Sequence, residues 1–415
     1  MMRPINVTEP TPVSRKGYDL FGAPIWMLAF RPLFLGGSLV ALLGISYWTL
    51  LLTGHVAWSL SIPANVWHAH EMMYGFAAAI AMGFLLTAAQ TWTGVPSLSG
   101  KYLMLLSFFW LLARILFFVK FPHNSLMDHN TNLFLVVLFQ GMWWLGGIFA
   151  LSRMLIKARN KQNYLFIGIL TTLFIFNMLF LFLVLNQQSV LALKLCDASI
   201  FVFTLLMGIV AGRVIPFFTA RGLLLPKQVK CPRLDFCIWI LTLWVLICVI
   251  GQSFYSIDMA SGISIAVLSA CHLLRSVFWW CKEIIKVPLL WSLQLSYFLL
   301  GIGLILIALS FITTHIDYKN ALHMVTIGSM GMMILSMMSR VSLGHTGRAL
   351  NPPYFMNVAF LCLFLAAITR SLLPSLIGAQ YAWLSSGVLW SLSFFLFLFH
   401  YFPILIKKRV DGRIG

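Results

Sequence analysis

Two histidines and a glutamate stand close together in one apolar run, Trp67-His68-Ala69-His70-Glu71-Met72-Met73-Tyr74-Gly75. Ionisable side chains in a membrane-length apolar segment are costly to place, so each is a functional candidate. Residues two apart on a regular helix point about 200° apart, so His68 and His70 cannot both face one metal from it. Either they serve different sites or His68 lies in a distorted first turn. His68 and Glu71, at i and i+3, share a face, which would let the carboxylate steady a ligating imidazole or hold a proton. A third histidine, His323, opens another apolar run and is expected at a depth similar to His70. Imidazoles on two helices at one depth could clamp a haem or supply part of a copper site. The plainer alternative is a buried His–Glu hydrogen bond that pins two helices together.

Other candidates follow from the same cost argument. Arg114 lies within an apolar run and could pair with Glu71, with Asp197 or with a haem propionate. Arg213, Arg221, Arg340, Arg348 and His345 fall near the ends of two runs. They read as membrane-surface anchors or, more sharply, as a phosphate, propionate or anion site. His272, near Arg275, is a second-tier ligand. His55, His123, His129 and His315 fall in loops and His400 near the end of the last run, so they suggest no role. Met324, Met330, Met332, Met333, Met337 and Met338 follow His323. Thioethers suit Cu(I), but they are also adaptable packing, and Gly328 and Gly331 favour close helix contact. The candidate metal ligands are therefore His68, His70 and His323. The wider cofactor-binding set adds Glu71, Arg114, Arg213, Arg340 and His345. No GxSxG, Walker A, HExxH or CxxCH run occurs.

The elements that must position these residues are membrane helices. Of 415 residues, 61% are hydrophobic and 9% charged, against about 25% charged in a soluble protein. Twelve spans need roughly 250 apolar residues, about what this chain holds. The expected fold is all-α and polytopic, with spans at roughly 30–53, 66–90, 102–119, 131–152, 164–186, 192–218, 236–256, 259–280, 289–313, 321–343, 354–373 and 381–406. A polar cytoplasmic segment, 1–25, precedes a single transmembrane domain, 26–408, and a short basic tail, 409–415, follows. The polar start gives no sign of a cleaved signal peptide. The net charge of +18 sits in short loops, which argues against nucleic-acid binding. Lys and Arg crowd one side, in the loop holding Arg153, Lys157, Arg159 and Lys161, the loop holding Arg221, Lys227, Lys230 and Arg233, and the tail. Lys120, Lys194, Lys319 and Arg370 fall on the other. This bias places both termini in the cytoplasm. Seven cysteines, mostly inside apolar runs, suggest no disulfide framework, and Cys231 and Cys237 fit neither a redox nor a zinc pattern. His70, Asp197 and His323 are almost evenly spaced, each opening a run that ends near a Thr and a Gly, which suggests three pseudo-repeats of four helices.

Several runs carry a family likeness. They are Phe30-Arg31-Pro32, Trp67 to Met72 with Gly75-Phe76, Gly83 to Thr87, Trp92-Thr93-Gly94, Gly212 to Gly222 (GRVIPFFTARG), Pro288 to Trp291, Leu322-His323 with Gly328, and Ser339 to Arg348 (SRVSLGHTGR). In this order they resemble the NnrS family of bacterial membrane proteins of nitric oxide metabolism and nitrosative stress. The resemblance implies a twelve-helix inner-membrane protein that binds haem b and copper, with nitric oxide as its small-molecule ligand. Family members often carry a His after the Pro-Leu-Leu-Trp run, where this chain has Gln294. If that His is a ligand, this chain lacks it or uses Gln294 more weakly. The architecture is also similar to the large subunit of haem–copper oxidases and nitric oxide reductases, with haem ligands on the second and tenth helices. This chain lacks the paired His on its sixth or seventh helix that a second metal centre there would need. Fold alone does not fix function. A transporter or metal-delivery permease, using the His/Glu cluster for protons or metal, is the alternative expectation, and an accessory membrane protein without turnover is the third.

Overall fold

A computed structural model gives the placement of residues 20–119, 131–226, 229–255 and 257–413. Most of the polar segment 1–25, the loop residues Lys120, His123, His129 and Lys227, and the last two residues of the basic tail lie outside the described residues.

The described chain contains helices and turns and no strand. The long helices are α1 (Phe30–Leu52), α2 (Ala64–Thr93), α3 (Gly100–Leu116), α4 (Thr131–Lys157), α5 (Tyr164–Leu185), α6 (Ser189–Gly222), α7 (Pro232–Gly251), α8 (Asp258–Trp279), α9 (Pro288–Ile312), α10 (Tyr318–His345), α11 (Phe355–Ser371) and α12 (Ala379–Ile406). In hydrocarbon only a helix or a closed barrel satisfies every backbone group, and these apolar runs take the helical solution. Their starts and stops follow local chemistry. Proline opens α7 and α9, where its missing N–H costs nothing. Gly94, at φ +67°, caps the end of α2. The Asp317 carboxylate accepts from the Asn320 backbone N–H at 2.8 Å and fixes the start of α10.

Ten of these helices are long and apolar enough to cross a membrane, which makes this a multi-pass membrane protein. Ten of the expected twelve spans are thus matched, and α3 and α11 are shorter. α3 and α11 have 17 residues each and rise only about 25 Å, the short limit for a bilayer core. From α3 onward each helix packs against the next, and α12 returns to pack along α1. Three helices, α2, α6 and α10, are the most buried of the bundle. Their apolar windows are 72–78% buried, against 28–50% for the other spans. These are the helices that carry His70, Asp197 and His323.

Two of these three helices are broken in the same way. In α2 a regular segment, Ala64–His70, passes into a π-helical turn, Glu71–Ala77. In α10, Tyr318–His323 passes into a π-helical turn, Met324–Gly331. Each turn begins immediately after a histidine. π turns are rare and concentrate at functional sites. α6 stays α-helical throughout, with Pro216 near its end, so the interruption is shared by two of the three helices. At Gly303 of α9 an added Cβ would come within 2.9 Å of the Val325 backbone nitrogen, so this glycine lets α9 approach the π turn of α10.

All seven cysteines are free thiols. The tail folds back on α10, with the Arg409 guanidinium donating to the His345 carbonyl at 3.0 Å and the Val410 N–H to the Thr346 carbonyl at 3.2 Å. Hydrogen bonds from Arg409 hold the Asp411 carboxyl well below the usual carboxylate range.

Candidate functional site

His70 is fully buried, and both its ring nitrogens are engaged. Nδ1 lies 2.9 Å from Glu71 Oε1, and Asn177 Nδ2 lies 3.0 Å from Nε2. An amide nitrogen only donates, so His70 accepts at Nε2 and carries its proton at Nδ1, facing the carboxylate. From Glu71 the path continues to Arg114, whose Nε donates to Oε2 at 3.1 Å. Arg114 Nη2 donates to Gln140 Oε1 at 2.8 Å, and Gln140 Nε2 donates to Asn177 Oδ1 at 2.9 Å. The chain of bonds therefore closes on itself through α2, α3, α4 and α5. Trp144 Nε1 adds a second donor to Asn177 Oδ1 at 2.9 Å. The Arg114 charge offsets that of Glu71 in a place water does not reach, which is what makes a buried pair tolerable.

The π turn shapes this ring. A Cβ at Gly75 would meet Glu71 Oε2 at 2.8 Å and Arg114 Nε at 3.4 Å, so glycine is what leaves room for the ion pair. The Gly75 carbonyl accepts from Trp110 Nε1 at 3.0 Å, which ties α3 to the turn. The expected His68–Glu71 partnership does not form. The regular helix ends at His70, and the π turn swings the Glu71 carboxylate toward its neighbour His70 and toward Arg114.

His68 points elsewhere, as its two-residue spacing from His70 requires. It is half-buried and stacks on Trp48 of α1, with centroids 4.6 Å apart at 17°. Its Nδ1 is buried without a hydrogen-bond partner. On α10, His323 is also half-buried and donates Nδ1–H to the Lys319 carbonyl at 2.6 Å, which leaves the Nε2 lone pair free. His68 and His323 are within electrostatic reach of one another and of Arg370 from α11. Arg370 bonds Asn320 Oδ1 at 2.5 Å and rests over the Trp383 ring at 4.9 Å. The three candidate ligands therefore divide, with His68 and His323 together and His70 in its own closed network.

The remaining candidates do not converge. Arg114 pairs with Glu71, and Asp197 takes a different partner, Lys319, at 2.7 Å, joining α6 to α10. Arg213 bonds Asn163 Oδ1 and lies over Phe166 of α5, whereas Arg340 stacks on Phe218 of α6 at 3.7 Å. His345 packs beside Phe30, centroid to centroid 5.7 Å. Arg213, Arg340 and His345 thus each face an aromatic ring on a different helix. The methionines of α10 are buried in the core, as packing would have them. Among the described residues no three His, Cys, Asp or Glu side chains come together to hold a metal ion.

The matched family model is that of the NnrS protein, and it covers residues 24–409, nearly the whole chain. The chain belongs to the NnrS family. A search of the curated proteins finds no match.

The NnrS chain carries a second buried polar cluster, on α7, α8 and α9. Arg275 is fully buried and donates to Asp235 Oδ1 at 2.6 Å, to the Gly208 carbonyl at 2.8 Å and, from Nε, to the Tyr297 hydroxyl at 2.6 Å. With guanidinium donors on its oxygen, the Tyr297 hydroxyl gives its own proton to His272 Nδ1, 2.6 Å away. The neutral His272 ring then carries its hydrogen on Nε2, which is buried without a partner. Gln294, at the position where the family often has His, donates to the Ser276 carbonyl at 3.1 Å and keeps its Oε1 unpaired. Sequence reading singled out His272, Arg275 and Gln294 but passed over Asp235, Tyr297, Asn177 and Gln140. The two amides were detectable, because each is a lone carboxamide within a membrane-length apolar run. Arg370 was visible as one of four cations on the Lys/Arg-poor side.

Proposed function

We propose that this NnrS-family chain is a b-type haem protein of the bacterial inner membrane that serves the nitric oxide response, with the haem iron held between His68 and His323. One observation carries the reading. His68 and His323 come from the two helices with π turns, lie within electrostatic reach of one another, and each keeps a ring nitrogen without a hydrogen-bond partner. The His323 Nδ1–H bond to the Lys319 carbonyl fixes the tautomer and orients the ring, the usual support of a ligating histidine. Arg370, within electrostatic reach of both, offers a cation for a haem carboxylate. When bound, the haem iron supplies the coordination chemistry for a diatomic gas such as nitric oxide.

The chain's own residues then have definite tasks. His68 on α2 and His323 on α10 would hold the iron. His70 is a positioning residue, since its ring of partners fixes the π turn that sets the direction of His68. Glu71 and Arg114 keep that ring charge-balanced. The described residues fit copper less well, because among them no three-ligand His, Cys, Asp or Glu set occurs, so copper enters only through the family and no step is assigned to it. The Lys/Arg bias supports both termini in the cytoplasm, with the His68–His323 pair in the periplasmic half.

A transporter is the second reading, favoured by interrupted helices among the most buried of the bundle. Purified protein separates the two. A stoichiometric haem whose spectrum shifts with nitric oxide supports the first. Transport that persists in haem-free protein supports the second and rejects the first.

A further inference from the structure

Of the cations expected to form an anion site, Arg348 lines a cavity, together with Lys286 and Lys407. It opens at the Lys/Arg-rich end of the bundle, between the start of α9, the end of α10 and the end of α12, with a volume of about 900 Å³. Three cationic side chains line it, Lys286, Arg348 and Lys407, together with His400 and Asn351 and no carboxylate. Lys286, Arg348 and Lys407 pair with no acidic group among the described residues. Elsewhere in the molecule the buried cations have partners, as Arg114 has Glu71 and Arg275 has Asp235. Unopposed cations around a recess call for an anion. The remaining wall includes Leu343 and Ile404, so an apolar lip adjoins the charged one.

We infer that this recess binds the headgroup phosphate of an anionic phospholipid, with the acyl chains leaving along the apolar lip. Three features point to lipid rather than free phosphate. The recess sits where membrane helices end, at the level of the headgroups. Its wall joins cationic side chains to the apolar Leu343 and Ile404. The Lys/Arg-rich side is the leaflet face where basic pockets between helices meet anionic headgroups. Arg348 and the two lysines would share the phosphate oxygens, and Asn351 would add a neutral amide donor.

The test uses the full-length protein in detergent, stripped of lipid. Phosphatidylglycerol, phosphatidylcholine and inorganic phosphate are titrated separately, and binding is followed by native mass spectrometry and by thermal stability. The expected result is selective, saturable binding of phosphatidylglycerol. In the triple variant Lys286→Gln, Arg348→Gln, Lys407→Gln it should weaken by on the order of 100-fold. A control, Lys157→Gln with Lys161→Gln, removes two cations from the same side outside the recess and should leave binding unchanged. Equal uptake of phosphatidylcholine would overturn the proposal, as would equal loss in the control. Saturation by inorganic phosphate alone, with phosphatidylglycerol unable to compete, would reassign the site to a free anion and reject the lipid. The triple variant must keep the wild-type thermal transition in phosphatidylcholine. If it does not, Arg348→Lys replaces it, and undiminished phosphatidylglycerol selectivity in Lys286→Gln with Lys407→Gln would then contradict the inference.

Discussion

Asn177 Nδ2 lies 3.0 Å from His70 Nε2, and this contact completes a cycle of side chains through four helices. Because Asn177 also accepts from Gln140 and Trp144, it is the residue on which most of the cycle depends. Asn177→Leu would strand His70 Nε2, Gln140 Nε2 and Trp144 Nε1 in an apolar interior. Each stranded group costs about 1–3 kcal/mol. The variant should melt well below the wild type in detergent. An unchanged transition would show that water or another group already serves these atoms.

The Glu71–Arg114 pair tests the charge balance of the same network. Removing one partner leaves a buried charge alone, at a cost of about 3–5 kcal/mol, whereas removing both with matched apolar groups costs far less. Glu71→Gln and Arg114→Met should each destabilise more than the double variant. Additive effects in a double-mutant cycle would contradict the coupling.

Gly75→Ala isolates the geometry of the π turn. The new Cβ would press on the Glu71 carboxylate at 2.8 Å. Because that group is held by two partners it cannot simply swing away, and overpacking of this kind costs about 1–3 kcal/mol. The loss should shrink when Glu71→Gln is already present. Equal losses in both backgrounds would place the strain elsewhere.

The α8 cluster gives an independent check. Tyr297→Phe removes the hydroxyl that bridges Arg275 and His272 and should destabilise the fold by about 1–3 kcal/mol. It should leave the haem spectrum unchanged, because the cluster lies on α7, α8 and α9, apart from His68. A spectral change would tie the two clusters together and revise the site.

The membrane helices and their order were legible because hydrophobicity over 20 residues is a long-range signal. The six methionines after His323 all lie buried in the core. The division between His68 and His70 was half legible, since two-residue spacing on a helix forbids a shared face. What spacing did not reveal was the π turn at Glu71, which depends on Trp110, Gly75 and Arg114 meeting from two helices. The His68–Glu71 expectation failed for that reason. The directions of Arg213, Arg340 and His345 were not legible for another reason. Depth along a helix can be read from sequence, but rotation about its axis is set by packing, and each of these side chains turned toward a different ring, Phe166, Phe218 or Phe30.

The most direct test is the reduced-minus-oxidised spectrum of the purified protein, with haem content, in wild type and in His68→Ala, His70→Ala, His323→Ala and His55→Ala. His55 is exposed and its ring bonds Thr53 Oγ1 at 2.8 Å, which makes it the control. The structure predicts that the His68 and His323 variants lose haem or change its ligation. The His70 variant should keep its haem with reduced thermal stability, and the His55 variant should match the wild type. A wild-type spectrum in both the His68 and His323 variants, or selective haem loss in the His70 variant, would contradict a haem held between His68 and His323.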